Sequence, residues 1–408
     1  MKKSTLFFGL ISLGIGMGFT ACGSDGDDDP ISEKIIDDTE YDAIISQYVD
    51  QIVLPTYSDL ATKNKSLLEA VNNFSASPSD ANFVKVCDAW MEARRPWESS
   101  EAFLFGPVDS EGLDPNMDSW PLDQEGIKGI LVSGDWSKLN WDESMDDSEV
   151  EAAQSLRGFH TLEFFAFYNG EPRTITAVAD SDDPADIQYN NDAANWKANW
   201  ASYMTRVASL LASDANTLYK DWSVSFDGGQ SFASQFKLHN SGDYKSGINC
   251  IEQILDGCAD IASEVGETKI GDPVAKKQSG NHTEAVYAVE SWYSWHSRDD
   301  YTNNIISIRN SYYGNLFNGG PDEIESSTKN FETVNANSLS ALVAKYNPAL
   351  DNQVKAAIKK AAVAIQAIPQ PFRDNILCEE TEEAMEACAE LEDIITNKLK
   401  PYLINSTK

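Results

Sequence analysis

Apolar residues recur at helical spacing through most of this chain. Tyr41, Ile44, Ile45, Tyr48, Ile52 and Val53 mark one helical face, which Pro55 kinks or interrupts before Tyr57, Leu60, Leu67, Leu68 and Val71 resume it. A second helix is predicted over residues 79–104, with Val84, Cys87, Trp90 and Met91 on one side and Pro96 near its middle. Gly, Pro, Asp and Asn punctuate 106–141, predicting an ordered loop or several short pieces that carry or cover a site. Helices follow over 148–168, 193–222, 243–265, 281–296, 302–314, 331–345, 351–367 and 380–403. No segment sustains the period-two alternation of strands, so the fold class is all-α. The Ser-, Gly-, Asp- and Asn-rich stretch 223–242 divides the body into two helical-bundle domains, residues 39–225 and 226–408.

The beginning of the chain has a different pattern. Lys2 and Lys3 precede an apolar stretch from Leu6 to Phe19, and Thr20-Ala21-Cys22 closes it. The stretch is shorter than the roughly 20 residues that span a bilayer and has the layout of a secretory signal. Residues 1–21 read as a lipoprotein signal peptide, Cys22 as the lipidated residue, and 22–38 as an acidic flexible tether. The expected location is the outer membrane, at the cell surface or otherwise on the periplasmic face, with the lipid as the membrane attachment. The run GSDGDDD after the signal resembles the acidic segment by which some Gram-negative bacteria export lipoproteins to that surface.

Formal charge is −34, and loss of two lysines with the signal makes it −36. Nucleic acid is excluded as a partner, because phosphate neutralisation needs Lys and Arg in excess. The acidity concentrates cations near the surface, although ordinary solubility of an exported protein explains it equally. Five cysteines remain after Cys22. Cys250 and Cys258 lie about 12 Å apart along one helix, too far to bridge, whereas Cys378 and Cys388 could close a loop.

The segment RGFHTLEFFAF places His160 and Glu163 on one helical face between Leu156 and Phe167. A buried pair of this kind needs charge or coordination to offset its desolvation, about 1–3 kcal/mol for each unsatisfied group. A metal ion would supply that, and helical bundles do build metal sites from His and Glu three residues apart. Glu101, among Trp97, Phe103, Leu104 and Phe105, could complete the shell; the alternative is a pair with Arg94 or Arg95 on its own helix. Arg309 shares the stripe of Ile305, Ile308 and Tyr312, where it wants a carboxylate or an anionic ligand. Ser297 and Asp300 enter the same helix as caps or site residues.

Four segments in order, ARRPWESSEAFLFGPV (93–108), DSWPLD (118–123), GFHTLE (158–163) and ESWYSWHSRDDYTNNIISIRNSYYG (290–314), resemble the imelysin-like proteins. Those carry a Gly-x-His-x-x-Glu signature, here Gly158, His160 and Glu163. The resemblance runs from about Tyr41 to the last helix. It implies two helical bundles with a cleft between them and a part in bacterial iron uptake at the envelope. Family members were first classed as metallopeptidases. Where relatives carry a proline in the segment before Arg309, this chain has Trp292.

The resulting expectation is a lipid-anchored protein binding a metal or metal-bearing ligand in an interdomain cleft. His160, Glu163 and Glu101 would hold a divalent or ferric ion, iron before zinc, and Arg309, Ser297, Asp300 and Trp97 would hold the rest of a ligand. Its partners would be iron or an iron complex and an envelope transport protein. A metallopeptidase is the enzyme alternative, although no His-Glu-x-x-His helix is present and a second imidazole would have to come from His239, His282 or His296. A surface module for glycans or a receptor is the third reading, to be judged by the exposure of Trp292, Tyr293 and Trp295.

Overall fold

A computed structural model describes residues 35–142, 144–174 and 196–408. The signal segment, Cys22 and most of the tether lie outside the described residues. The body is framed by helices α1 (Glu40–Tyr48), α2 (Leu54–Ala76), α3 (Asp80–Glu98), α4 (Phe159–Ala166), α5 (Trp196–Ser223), α6 (Gly247–Ser263), α7 (Ser297–Tyr313), α8 (Pro348–Ala367) and α9 (Glu379–Ile394), with shorter helices between them. Among the described residues the sheet content is one two-stranded antiparallel ribbon, Phe167–Tyr168 with Glu171–Pro172. The all-α expectation holds. No described helix is long and apolar enough to cross a membrane.

Proline shapes the rods in a repeated way. Val49–Val53, Glu264–Ile270 and Ile395–Leu399 are π-helical turns, and each is followed within three residues by a proline, Pro55, Pro273 and Pro401. Proline lacks the N–H that the preceding carbonyl expects and crowds that carbonyl, and widening one turn relieves both problems. The helix therefore continues through Pro55.

Helices α2, α3, α4 and α5 pack together, and α6, α7, α8 and α9 form a second group. Residues 34–408 make one compact unit, because the groups meet along α3, α7 and the 3-10 turn Glu101–Phe103. Gly257 of α6 permits that approach: a β-carbon there would lie 2.3 Å from the Ala102 carbonyl oxygen. The two ends of the body also meet, with Ile36 bridging in parallel to Thr407 and α1 packing on α6.

Several element boundaries differ from the periodicity. The region 106–141 is a string of short helices, Pro107–Ser110, Leu113–Asp118 and Gln124–Ser133, with the 3-10 turn Trp136–Leu139. The helix expected over 148–168 is two, Asp147–Gln154 and α4, separated by Gly158 at φ 93°. The helix expected over 281–296 stops at Ala288, and the turn after it holds Ser291 and Trp295 in left-handed backbone. Cys378 and Cys388 do not close a loop. Both are free thiols, with Cys378 capping α9 and Cys388 inside it, roughly 15 Å along the axis at about 1.5 Å per residue.

Candidate functional site

Gly158 starts the site. A β-carbon there would stand 2.4 Å from the Met117 carbonyl oxygen, so only glycine lets α4 begin against the Leu113–Asp118 helix. Every residue of α4 is buried, including His160 and Glu163. Glu163 Oε2 lies 3.0 Å from His160 Nδ1, and Glu163 Oε1 accepts from the Ser294 amide at 2.9 Å and its hydroxyl at 2.8 Å. His160 Nε2 faces Asp118 Oδ1 at 3.1 Å and Glu290 Oε1 at 3.3 Å, and the Trp120 ring packs edge-on 4.7 Å away.

Two internal cations sit among these groups. Arg94, fully buried on α3, pairs with Glu98 and Glu290 at 2.6 Å each, with Asp118, and with Asp300 at 3.4 Å. Lys269 Nζ lies 3.0 Å from Glu290 Oε2, 3.9 Å from Glu264 and 4.0 Å from Glu101. Trp97 donates its indole N–H to Asp118 Oδ2 at 2.7 Å, and Asn304 donates to Glu98 Oε2 at 2.6 Å. Asp300 accepts from Ser291 at 2.5 Å and contacts His296 Nδ1 at 2.7 Å.

Five buried carboxyl groups, Glu98, Glu101, Asp118, Glu290 and Asp300, thus face two permanent cations, and a sixth, Glu163, faces His160. The surroundings divide them. Burial outweighs Arg94 at Glu98 and Lys269 at Glu101, and raises both well above the usual carboxylate range. At Asp118 burial is overcome by Arg94 and His160, and at Glu290 by Lys269, the His160 hydrogen bond and Arg94, so both are lowered. Negative charge therefore concentrates on the two carboxylates beside His160 Nε2. Burial and Arg94 push the His160 pKa down, but bonding to Asp118 and Glu163 wins and leaves it well above the ordinary value.

Over this cluster lies a cavity of about 500 Å³. Its walls carry seven carboxyl groups, Glu101, Asp114, Asp118, Glu264, Asp272, Glu284 and Glu290, against Lys269 and Lys276, with Trp120, Tyr287 and Leu104 as apolar surface. One imidazole nitrogen and one oxygen each from Asp118 and Glu290 lie within 4.8 Å of one another, a mixed donor set suited to iron or zinc. Glu98, Glu101 and Asp118 form a second such group. The Glu163 contact at Nδ1 is the outer-layer support that metal-bound histidines use. The donors fit an ion, and Arg94 Nη2, 3.3 Å from His160 Nε2, is the group that would compete with it.

The expected site residues are distributed as follows. His160 and Asp300 contact Arg94, Trp97 reaches it through Asp118, Glu163 is turned to His160 and Ser294, and Glu101 stands on the cavity wall beside Lys269. Ser297 donates to the Glu290 carbonyl oxygen at 2.5 Å and steadies that residue's backbone. Arg309 is elsewhere. Its guanidinium donates to the backbone oxygens of Phe331, Asn315 and Thr333 and lies over the Tyr313 ring, so carbonyls take the place of the expected anion. His239 pairs with Asp42, and His282 opens an outer helix.

Sequence reasoning did not single out Arg94, Asp118, Lys269, Glu290 or Ser294. Arg94 had a readable signal: Phe83, Cys87, Trp90, Arg94 and Trp97 follow the 4-3-4-3 spacing of one buried stripe, and a charge on such a stripe needs partners. Asp118 and Glu290 stand on a short helix and a turn, where no periodicity reports burial.

The family model described as Imelysin matches residues 53–398. The chain is 27% identical over 373 residues to iron-regulated protein A of Synechococcus elongatus, covering 90% of this chain and 84% of that one. A crystal structure from Parabacteroides distasonis, described as an iron-regulated protein A precursor, superposes with a TM-score of 0.78 at 36% identity, over 90% of this chain and 96% of that one. An imelysin-like protein from Psychrobacter arcticum shares the fold, with a TM-score of 0.60 at 13% identity over 91% and 98% of the two chains.

Proposed function

The chain belongs to the imelysin family, and on that premise we propose that it is a cell-envelope protein that captures a metal cation, iron first, on the floor of its acidic cavity. The observation that carries this reading is the convergence of His160 Nε2, Asp118 and Glu290 beneath a cavity rich in carboxylates. The names of the Synechococcus and Parabacteroides relatives favour iron over zinc. Asp118, His160 and Glu290 would hold the ion, Glu163 would orient His160, and Glu101 would stand on the wall as a further oxygen donor. A role in uptake and a lipid anchor at Cys22, with an envelope transport partner, accord with the secretory signal and the acidic tether.

Binding is supported over hydrolysis. A zinc peptidase site would draw on a second imidazole, and His296, the nearest of the other histidines in the sequence of contacts, is turned to Asp300 and Asp299. A surface aromatic module has less support, since Trp292 and Tyr293 are 5% and 1% exposed, and of the three aromatics only Trp295 is half-buried. The test is equilibrium dialysis of residues 23–408 against ferrous iron and zinc, with Asp118→Asn and Glu290→Gln beside the parent. Stoichiometric metal in the parent and its loss in both variants is expected; equal metal in all three would overturn the reading.

A further inference from the structure

An ion with six waters fills roughly 200 Å³ at about 30 Å³ per water, less than half of the 500 Å³ cavity. The remaining space is organised. Trp120, Pro121 and Tyr287 line this cavity and also a second one of about 440 Å³, which Trp292, Leu122 and Gln124 enclose on the far side. The shared aromatic wall is held in place. Trp120 donates its indole N–H to the Ala288 carbonyl at 3.2 Å and touches His160, while Tyr287 packs edge-on to Trp292, whose ring stacks on Tyr293. An aromatic wall therefore stands beside the candidate ligand atoms.

Charge narrows what fits. Burial raises Glu101 well above the usual carboxylate range and Asp114 to about 7, but the other five carboxyl groups of the wall still outnumber its two lysines, which disfavours an anionic chelate, such as a metal carboxylate complex, and favours a net positive one. Aromatic faces beside carboxylates bind flat, positively charged groups by stacking and by ring electrostatics.

Resting on the cation-binding reading above, we propose that the cargo enters as a positively charged complex of the metal with a neutral, flat organic ligand. The metal faces Asp118 and Glu290, and the ligand's plane lies against Trp120 and Tyr287. Such a complex must keep coordination positions open for the protein's oxygens, so a fully wrapped metal is a poor cargo. Tyr287, half-buried on the cavity wall, sets the preference for complex over bare ion.

The test is equilibrium dialysis of residues 23–408 against three zinc species: the aqua ion, its 1:1 complex with terpyridine, and its anionic citrate complex. The terpyridine complex should bind at least about tenfold more tightly than the aqua ion, and the citrate complex more weakly than either. Tyr287→Ala should remove the tenfold advantage and leave the aqua ion within about twofold of the parent, and Tyr287→Phe should restore it. Equal affinity for aqua ion and terpyridine complex, or an equal effect of Tyr287→Ala on both, would overturn the proposal and leave the cation site standing. Binding of no zinc species would overturn both.

Discussion

Glu163 Oε2 lies 3.0 Å from His160 Nδ1, and that contact decides which nitrogen of the histidine is available. With Nδ1 engaged, Nε2 alone faces Asp118 and Glu290. The second oxygen of Glu163 is taken by Ser294, so the carboxylate has one orientation. The signature pair thus works in series, with Glu163 behind His160 rather than beside it.

The first prediction follows from that order. Glu163→Gln should weaken metal binding by about 10- to 100-fold, the usual effect of removing an outer-layer partner. His160→Ala should abolish it. Calorimetric titration with zinc measures both, and an equal loss in the two variants would mean that Glu163 touches the ion directly.

Arg94 tests the electrostatics. Arg94→Met leaves Glu98, Glu290, Asp118 and Asp300 without their shared cation and should cost about 3–5 kcal/mol, the range for breaking a buried pair. Because an ion would occupy the same oxygens, zinc should raise the melting temperature of this variant more than that of the parent. A destabilised variant that zinc leaves unchanged would show that these carboxylates accept a guanidinium and no metal.

Stability should fall on the alkaline side. Burial pushes the His296 pKa down, but Asp300 and Asp299 push it up further, to about 9 from 6.5. A group that holds its proton more tightly when folded contributes fully below about pH 6.5, and the contribution is lost as pH rises through about 9. Urea midpoints should decline across that window, and less steeply in His296→Gln. A parent profile flat from pH 6.5 to 9 would contradict the ion pair with Asp300.

Arg309 should behave as scaffold. Its guanidinium ties Asn315, Phe331 and Thr333 to α7, and hydrogen bonds from charged groups are worth about 1.5–3 kcal/mol each before compensation. Arg309→Met should destabilise the body by about 3 kcal/mol, open the 315–333 segment to limited proteolysis, and leave zinc affinity within about twofold. A selective loss of metal binding with unchanged proteolysis would return Arg309 to the site.

Much of this arrangement could be read from residue pattern alone, for identifiable reasons. The long helices declare themselves through repeated apolar faces, as α2 and α5 do, and His160 with Glu163 stood out as polar residues in an apolar run. Short elements were opaque. Asp118 sits at the end of a six-residue helix and Glu290 in a turn, so each owes its burial to partners distant in sequence. Arg309 misled because its stripe reports burial and not the nature of its acceptors. Lys269 was hidden by a π-helical turn, which rotates side chains away from the 3.6-residue phase.

The most direct test of the central claim is the zinc and ferrous iron content of residues 23–408 after dialysis, parent against Asp118→Asn. The account predicts stoichiometric metal in the parent and little in the variant, with both proteins folded by circular dichroism. Equal metal in the two, or none in the parent, would mean that the cluster around His160 is satisfied by Arg94 and Lys269 alone and that the cavity serves some other ligand.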